Sequence, residues 1–303
     1  MNFNSIYFYN NWHLGDIHLA RGFINFAFNH IPIFKTIPVH FGNRNNNNLL
    51  ADLNITTNNE EYIKRFDSGF FNNKSTSYFI EDGTLFINTW YAANNYKYIN
   101  LHGTTFTCLY NVFRDCYLEC FNVDLNNYDV AEYFPTIDFS KFYIKDCDEW
   151  LEQNTKPKVY ISNCLVKSGQ ANNESWNNVI RVLATRFEHV DFLVTNVIDE
   201  KINLPNVHYT EDIINKGSQD LNENAYLSTF CRLIIGKSSG TFSVACLNDN
   251  LFRDCDMISF SSFPDCLNNF WIGNIKATCK ISNYSREDIG FVIETTSNYI
   301  YHI

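Results

Sequence analysis

Residues 222–248, "NENAYLSTFCRLIIGKSSGTFSVACLN", join a helical run, an apolar strand, a small polar turn and a second helix. "NENAYLSTF" (222–230) has helical spacing, "LIIG" (233–236) is a short unbroken apolar run, and a helix opens at Gly240. An unbroken apolar strand between helices is the mark of a parallel sheet covered on both faces. The turn "KSSG" then lies beyond the strand's carboxyl end. There the first N–H groups of a helix lack partners and the helix dipole favours negative charge, so a phosphate binds well. Lys237 can add positive charge, Ser238, Ser239 and Thr241 can add hydroxyls, and Gly240 permits close approach of the backbone. The same residues also suit an ordinary capped helix, and they form neither a P-loop nor a G-x-G-x-x-G fingerprint.

The pattern repeats on either side of this stretch. Strands are expected at 159–163, 191–195, 207–210 and 257–260, and helices at 174–188 and within "SREDIGFVIETTSNYIYHI" at the C-terminus. Strands alternating with helices of this length predict a doubly covered parallel sheet. A second polar turn, "CLVKSGQANNES" (164–175), follows the strand at 159–163, which sets Lys167, Ser168, Gly169 and Gln170 on the same sheet edge as "KSSG". Glu211 and Asp212, in "HYTEDI", follow another strand on that edge. They are candidates to meet a nucleoside, and equally suit an exposed helix start.

The first half reads similarly, with strands at 6–9 and 36–41, a helix at 16–29 and a helical stretch near 60–66, which implies a second Rossmann-like half. "TSYFIEDGTLFINTWY" (76–91) predicts two strands about an Asp82-Gly83 turn, and residues 99–121 carry a long helix. The pattern loosens over 136–157 and ends in "NTKPK", whose proline disfavours helix just before it, so domains of 1–150 and 151–303 are expected. Ligands of such open sheets bind beyond the carboxyl ends of the strands, here across a cleft between facing domains.

Composition narrows the function. A net charge of −10 and a pI near 5.2 argue against nucleic acid as the partner. No run of 18 apolar residues occurs, and "MNFNSIYFYN" does not read as a secretion signal, so a soluble cytoplasmic protein with no transmembrane segment is expected. The ten cysteines include no C-x-x-C and are expected to be reduced, packing as small apolar residues. "DCD" occurs at 146–148 and 254–256, in neither case after a buried strand, so no metal and no cofactor are expected.

Two stretches carry a family resemblance. "LGDIHLARGF" (14–23) resembles the glycine-aspartate turn after the first strand of ADP-heptose:lipopolysaccharide heptosyltransferases, and residues 222–248 resemble their sugar-nucleotide segment. In those enzymes an aspartate and then Ser or Thr usually precede the glycine, where this chain has Lys237, Ser238 and Ser239. The resemblance implies a GT-B fold, with an acceptor-side domain followed by a sugar-nucleotide domain. It also implies metal-independent, inverting transfer of a sugar from a nucleotide-sugar donor to an acceptor hydroxyl of a glycan or glycolipid. Asp16 matches the family's general base, which takes the acceptor's proton as its oxygen attacks the anomeric carbon. Asp16 also suits a plain helix start. His13, and less so His18, are candidates to assist, and Trp12 could face a sugar ring. A sugar-nucleotide epimerase or hydrolase and a catalytically silent nucleotide-sugar-binding protein remain as alternatives.

Overall fold

The computed structural model describes residues 3–10, 14–42, 48–57, 77–90, 105–166, 169, 171–215, 220–262, 271–272, 275–276 and 281–303. The chain divides into two compact units: residues 1–136 with 270–277, and residues 137–269 with 278–303.

In the first unit, strand β1 (Ser5–Tyr9) leads into helix α1 (Leu14–His30), which starts two residues before the expected position, and then into β2 (Val39–Gly42) and β3 (Thr56–Thr57). The hairpin β4 (Tyr78–Glu81) and β5 (Thr84–Asn88) follows, and then helix α2 (Thr105–Phe121). The sheet order is β3-β2-β1-β5-β4, parallel except for β4 against β5. Asp82 and Gly83 both take positive φ, 49° and 75°, the backbone a primed two-residue turn requires. Ile6, Tyr7 and Phe8 are all buried because both sheet faces are covered, which explains an apolar run without alternation.

Much of the aromatic content packs here. Phe23 of α1 stacks on Phe113 of α2 at 4.7 Å and 8°, and the Tyr117 hydroxyl donates to the Phe23 carbonyl at 2.9 Å. Arg21 is wholly buried with Asp52 3.4 Å away. Burial draws the Arg21 pKa down to about 10 against the opposing pull of Asp52, so it is charged at neutral pH.

Short 3-10 turns lead from one unit into the other: Asp124 and Asp129 cap two of them at the end of the first unit and Asp138 caps one at the start of the second, each through a side-chain oxygen. Helix α3 (Lys145–Gln153) follows, and its Asp148 accepts a 2.5 Å bond from the Tyr226 hydroxyl. This bond ties α3 to the second unit, whose described residues begin at Ile137. Then come β6 (Lys158–Ser162), α4 (Asn177–Arg186), β7 (Asp191–Val194), β8 (Val207–Tyr209), α5 (Thr210–Ile214) and α6 (Leu221–Ser228). After these stand β9 (Leu233–Lys237), α7 (Gly240–Val244), α8 (Asn248–Leu251) and β10 (Asp256–Phe260). The small antiparallel pair β11 (Trp271–Ile272) and β12 (Ile275–Lys276) falls in the segment assigned to the first unit. The chain ends in β13 (Ile281–Tyr284) and α9 (Ile289–Ile300), the latter capped by Asp288, whose carboxylate accepts from the Phe291 N–H.

All neighbouring strands of the large sheet are parallel, in the order β8-β7-β6-β9-β10-β13. Read in chain order this is 3-2-1-4-5-6, the arrangement of doubly wound dinucleotide-binding sheets. Val159, Ile161, Ile235 and Ile258 of the sheet pack with Ile180 and Leu183 of α4 and Val292 and Ile300 of α9. β13 was not anticipated: "ISNY" is half polar and too short to show a period. The helix expected near 60–66 lies outside the described residues. Among those residues the cysteines are thiols outside disulfides, and no helix is long and apolar enough to cross a membrane.

Candidate functional site

Strand order reverses between β6 and β9, and such a switch point opens a crevice beyond the carboxyl ends of the strands. Ser162 pairs with Gly236 there, so the two polar turns leave the sheet side by side, as their placement after parallel strands implies. A Cβ on Gly236 would lie 2.6 Å from Cβ of Ser162 and 2.8 Å from the Phe242 ring, so β6, β9 and α7 meet this closely only without a side chain.

A hydroxyl–thiol cluster fills the junction. The Thr241 hydroxyl donates to Sγ of Cys164 at 2.7 Å and lies 3.1 Å from Oγ of Ser239 and 3.2 Å from Oγ of Ser162. The Cys164 thiol donates to Ser239 at 3.2 Å, and Ser239 caps α7 by accepting from the Phe242 N–H, also at 3.2 Å. Each hydroxyl both donates and accepts, so the cluster can turn donors toward an anion without leaving an acceptor stranded. Lys237, Ser238 and Ser239 are buried, whereas Gly240 and Thr241 are partly exposed.

Lys237 is the last residue of β9 and does not stand in the turn. Its ammonium donates to the Glu174 carbonyl at 2.6 Å and lies 5.9 Å from the Trp176 ring centre. Burial holds its pKa below the usual lysine value. In the neighbouring turn Gly169 has φ +71° and open space around it; Lys167, Ser168 and Gln170 lie outside the described residues.

A cavity of about 50 Å³ adjoins Thr241, lined also by Thr195, Asn196, Asp220 and Asn224. Asn224 is 5% exposed, and its amide nitrogen donates to the Asp220 carbonyl at 3.0 Å. Among the described residues its side-chain oxygen has no hydrogen-bond partner, and neither has that of buried Asn163. A buried acceptor left unpaired costs about 1–3 kcal/mol, so such groups call for a donor from water or ligand. Sequence reading passed over both asparagines because the residue is so abundant in this chain that its type carried no signal. It passed over Cys164 because thiols were read as small apolar residues. Glu211 and Asp212 are not brought to this cavity. Both are exposed in the first turn of α5, each 2.7 Å from Lys201.

In the first unit the turn after β1 also leaves a switch point, between β1 and β5. Asn10 secures its start, donating through its backbone to Gly42 and through its amide to the Thr89 carbonyl, both at 3.2 Å, while Thr89 donates back to Tyr9. Asp16 is the third residue of α1, inside the first turn, partly exposed and well placed toward the positive end of the helix dipole. His18 is fully buried, on the core side of α1. Trp12 and His13 lie outside the described residues. Of the two "DCD" stretches, Asp146 accepts from Tyr143 and Asp148 from Tyr226, and Asp254 lies 3.8 Å from Arg232.

No family model matches this chain, and no curated protein matches it. Solved structures do. The E. coli ADP-heptose lipopolysaccharide heptosyltransferase II superposes with a TM-score of 0.57 at 10% identity, covering 99% of each chain. A family 9 glycosyl transferase from Veillonella parvula gives 0.52 at 11% identity, covering 100% of this chain and 98% of its own. The iron-containing dodecameric glycosyltransferase TibC of enterotoxigenic E. coli gives 0.50 at 10% identity, covering 95% of this chain and 64% of its own. The fold is thus the α/β GT-B fold of the heptosyltransferases, with two Rossmann-like units. Among the described residues no group of three or more His, Cys, Asp or Glu is placed to hold a metal ion.

Proposed function

We propose that this chain is a GT-B glycosyltransferase that moves a sugar from a nucleotide-sugar donor to an acceptor hydroxyl of a glycan or glycolipid, with inversion and without a metal. The observation that carries this reading is the hydroxyl–thiol cluster at the sheet's switch point, beside a cavity holding an unpaired buried amide oxygen. The fold shared with an ADP-heptose-dependent transferase supports it.

On this reading the donor's diphosphate sits at Gly240 and Thr241, with the turn at Lys167, Ser168, Gly169 and Gln170 on its other side, and one polar group of the nucleoside or a bridging water enters the small cavity at Asn224. That displaces Glu211 and Asp212 from the nucleoside role, since Lys201 already engages both. Asp16 accepts the proton of the acceptor hydroxyl as that oxygen bonds to the anomeric carbon and the bond to the diphosphate breaks. Charge gathering on the leaving diphosphate is met by N–H groups of the turn and the hydroxyls of Ser239 and Thr241. His13 is the next candidate base should Asp16 not serve.

Three measurements test the proposal. Calorimetry is expected to detect binding of a nucleoside diphosphate or its sugar conjugate, and Thr241→Val to weaken it about 10- to 100-fold, the scale of one hydrogen bond to a charged group. No binding from a panel of common nucleotide sugars sinks the assignment. Transfer is expected to persist in excess EDTA; loss on chelation, restored by manganese or magnesium, overturns the metal-free reading. Donor consumption at an equal rate with and without acceptor would identify a hydrolase instead.

A further inference from the structure

We propose that Lys237 and Glu287 are positioning residues that clamp the loop between β6 and α4 from two sides, setting the shape of the donor site without touching the donor. The inference rests on the glycosyltransferase reading for the identity of the ligand, though not for the clamp itself.

The described parts of this loop are tied down at successive points. The Val166 N–H donates to the Asn173 side chain at 2.6 Å, closing the loop on itself. The Asn172 N–H donates to both carboxylate oxygens of Glu287, at 3.0 and 3.1 Å. Glu287 stands just before α9 and also accepts from the Ser262 hydroxyl, which lies just beyond β10. Two residues further along the loop, the Glu174 carbonyl accepts from Lys237 at the end of β9. Trp176, buried and 5.7 Å from the Phe260 ring, closes the loop against β10. The loop is therefore registered against the ends of β9 and β10 and the start of α9, while Cys164 at its own start bonds to Ser239 and Thr241.

Charge explains why this is more than packing. A buried ammonium costs more than an apolar side chain of the same size, so its retention calls for a specific geometry that it enforces. Charge-assisted bonds to backbone groups are short and directional, and they hold a loop better than neutral ones. Glu287 separates the clamp from simple anion attraction. A carboxylate close to a diphosphate site repels the ligand, so by charge alone its removal strengthens binding. A clamp predicts the reverse.

The test uses ADP, GDP and UDP with wild type, Glu287→Ala, Glu287→Gln and Glu287→Asp, read by calorimetry, donor kinetics and hydrogen exchange of the loop peptide in the free protein. Glu287→Ala is expected to bind the diphosphate about tenfold more weakly, to raise KM for the donor with kcat nearly unchanged, and to exchange faster across residues 163–176. Glu287→Gln keeps one neutral acceptor for Asn172 and loses the charge, and is expected to bind between wild type and the alanine variant. Glu287→Asp keeps the charge, loses reach and is expected to follow the alanine variant, and it serves should Glu287→Ala not fold. Equal or tighter binding by Glu287→Ala, with the glutamine variant tracking it, overturns the clamp. If wild type binds none of the three nucleotides, the donor reading fails, and unchanged loop exchange in Glu287→Ala and Glu287→Asp then overturns the clamp independently.

Discussion

Asp16→Asn is expected to melt at or slightly below wild type, bind the donor with wild-type affinity and transfer sugar ~100- to 10,000-fold more slowly, the range that general-base catalysis supplies. The isosteric amide keeps size and hydrogen-bonding reach while removing the basic lone pairs. In the first turn of α1 the carboxylate also interacts favourably with the helix dipole, an effect of about 0.3–1 kcal/mol. A purely structural Asp16 therefore predicts a slight fall in melting temperature and an unchanged rate. The measurement is the initial transfer rate beside donor affinity for both proteins. A variant within about threefold of the wild-type rate removes Asp16 from the mechanism.

Gly22→Ala is expected to destabilise the protein sharply, against the helix-propensity scale, on which the change gains up to about 1 kcal/mol. Gly22 lies in the middle of α1, and a Cβ there would stand 2.2 Å from the Tyr133 carbonyl oxygen and 2.5 Å from the Phe134 carbonyl carbon. Both obstacles are backbone, so α1 or the turn at Val130–Tyr133 must move, which also disturbs the stack of Phe23 on Tyr133 at 5.6 Å. Overpacking of this kind costs typically ~1–3 kcal/mol or more. In a protein of this size that lowers Tm by roughly 2–4 °C per kcal/mol. Gly290→Ala is the control, since its Cβ would meet only the Asp288 carboxylate at 3.7 Å in α9. That variant is expected to melt at or slightly above wild type. Equal melting temperatures for the two variants would show that α1 accommodates the methyl group.

The sequence by itself determined the α/β class, the strand-helix alternation of the second half, the Asp82-Gly83 hairpin and the two polar turns on one sheet edge. These are short-range properties: periodicity, turn chemistry and the direction of a strand are set by residues a few positions apart. It also brought Asp16 to the start of a helix after a strand, but offered no way to tell a base from a favourably charged first turn. The tertiary structure decided what depends on partners far along the chain. Cys164 joins Thr241 across 77 positions only because β6 and β9 are neighbours at the switch point. Glu287 reaches Asn172 across 115 positions only because α9 returns to the sheet beside α4. Lys237 reads as a turn cation until the ladder with β10 extends β9 by one residue, and then its ammonium grips Glu174 instead. Whether a polar side chain faces ligand, solvent or another loop is a question of strand order, and strand order is fixed by long-range burial that local pattern does not encode.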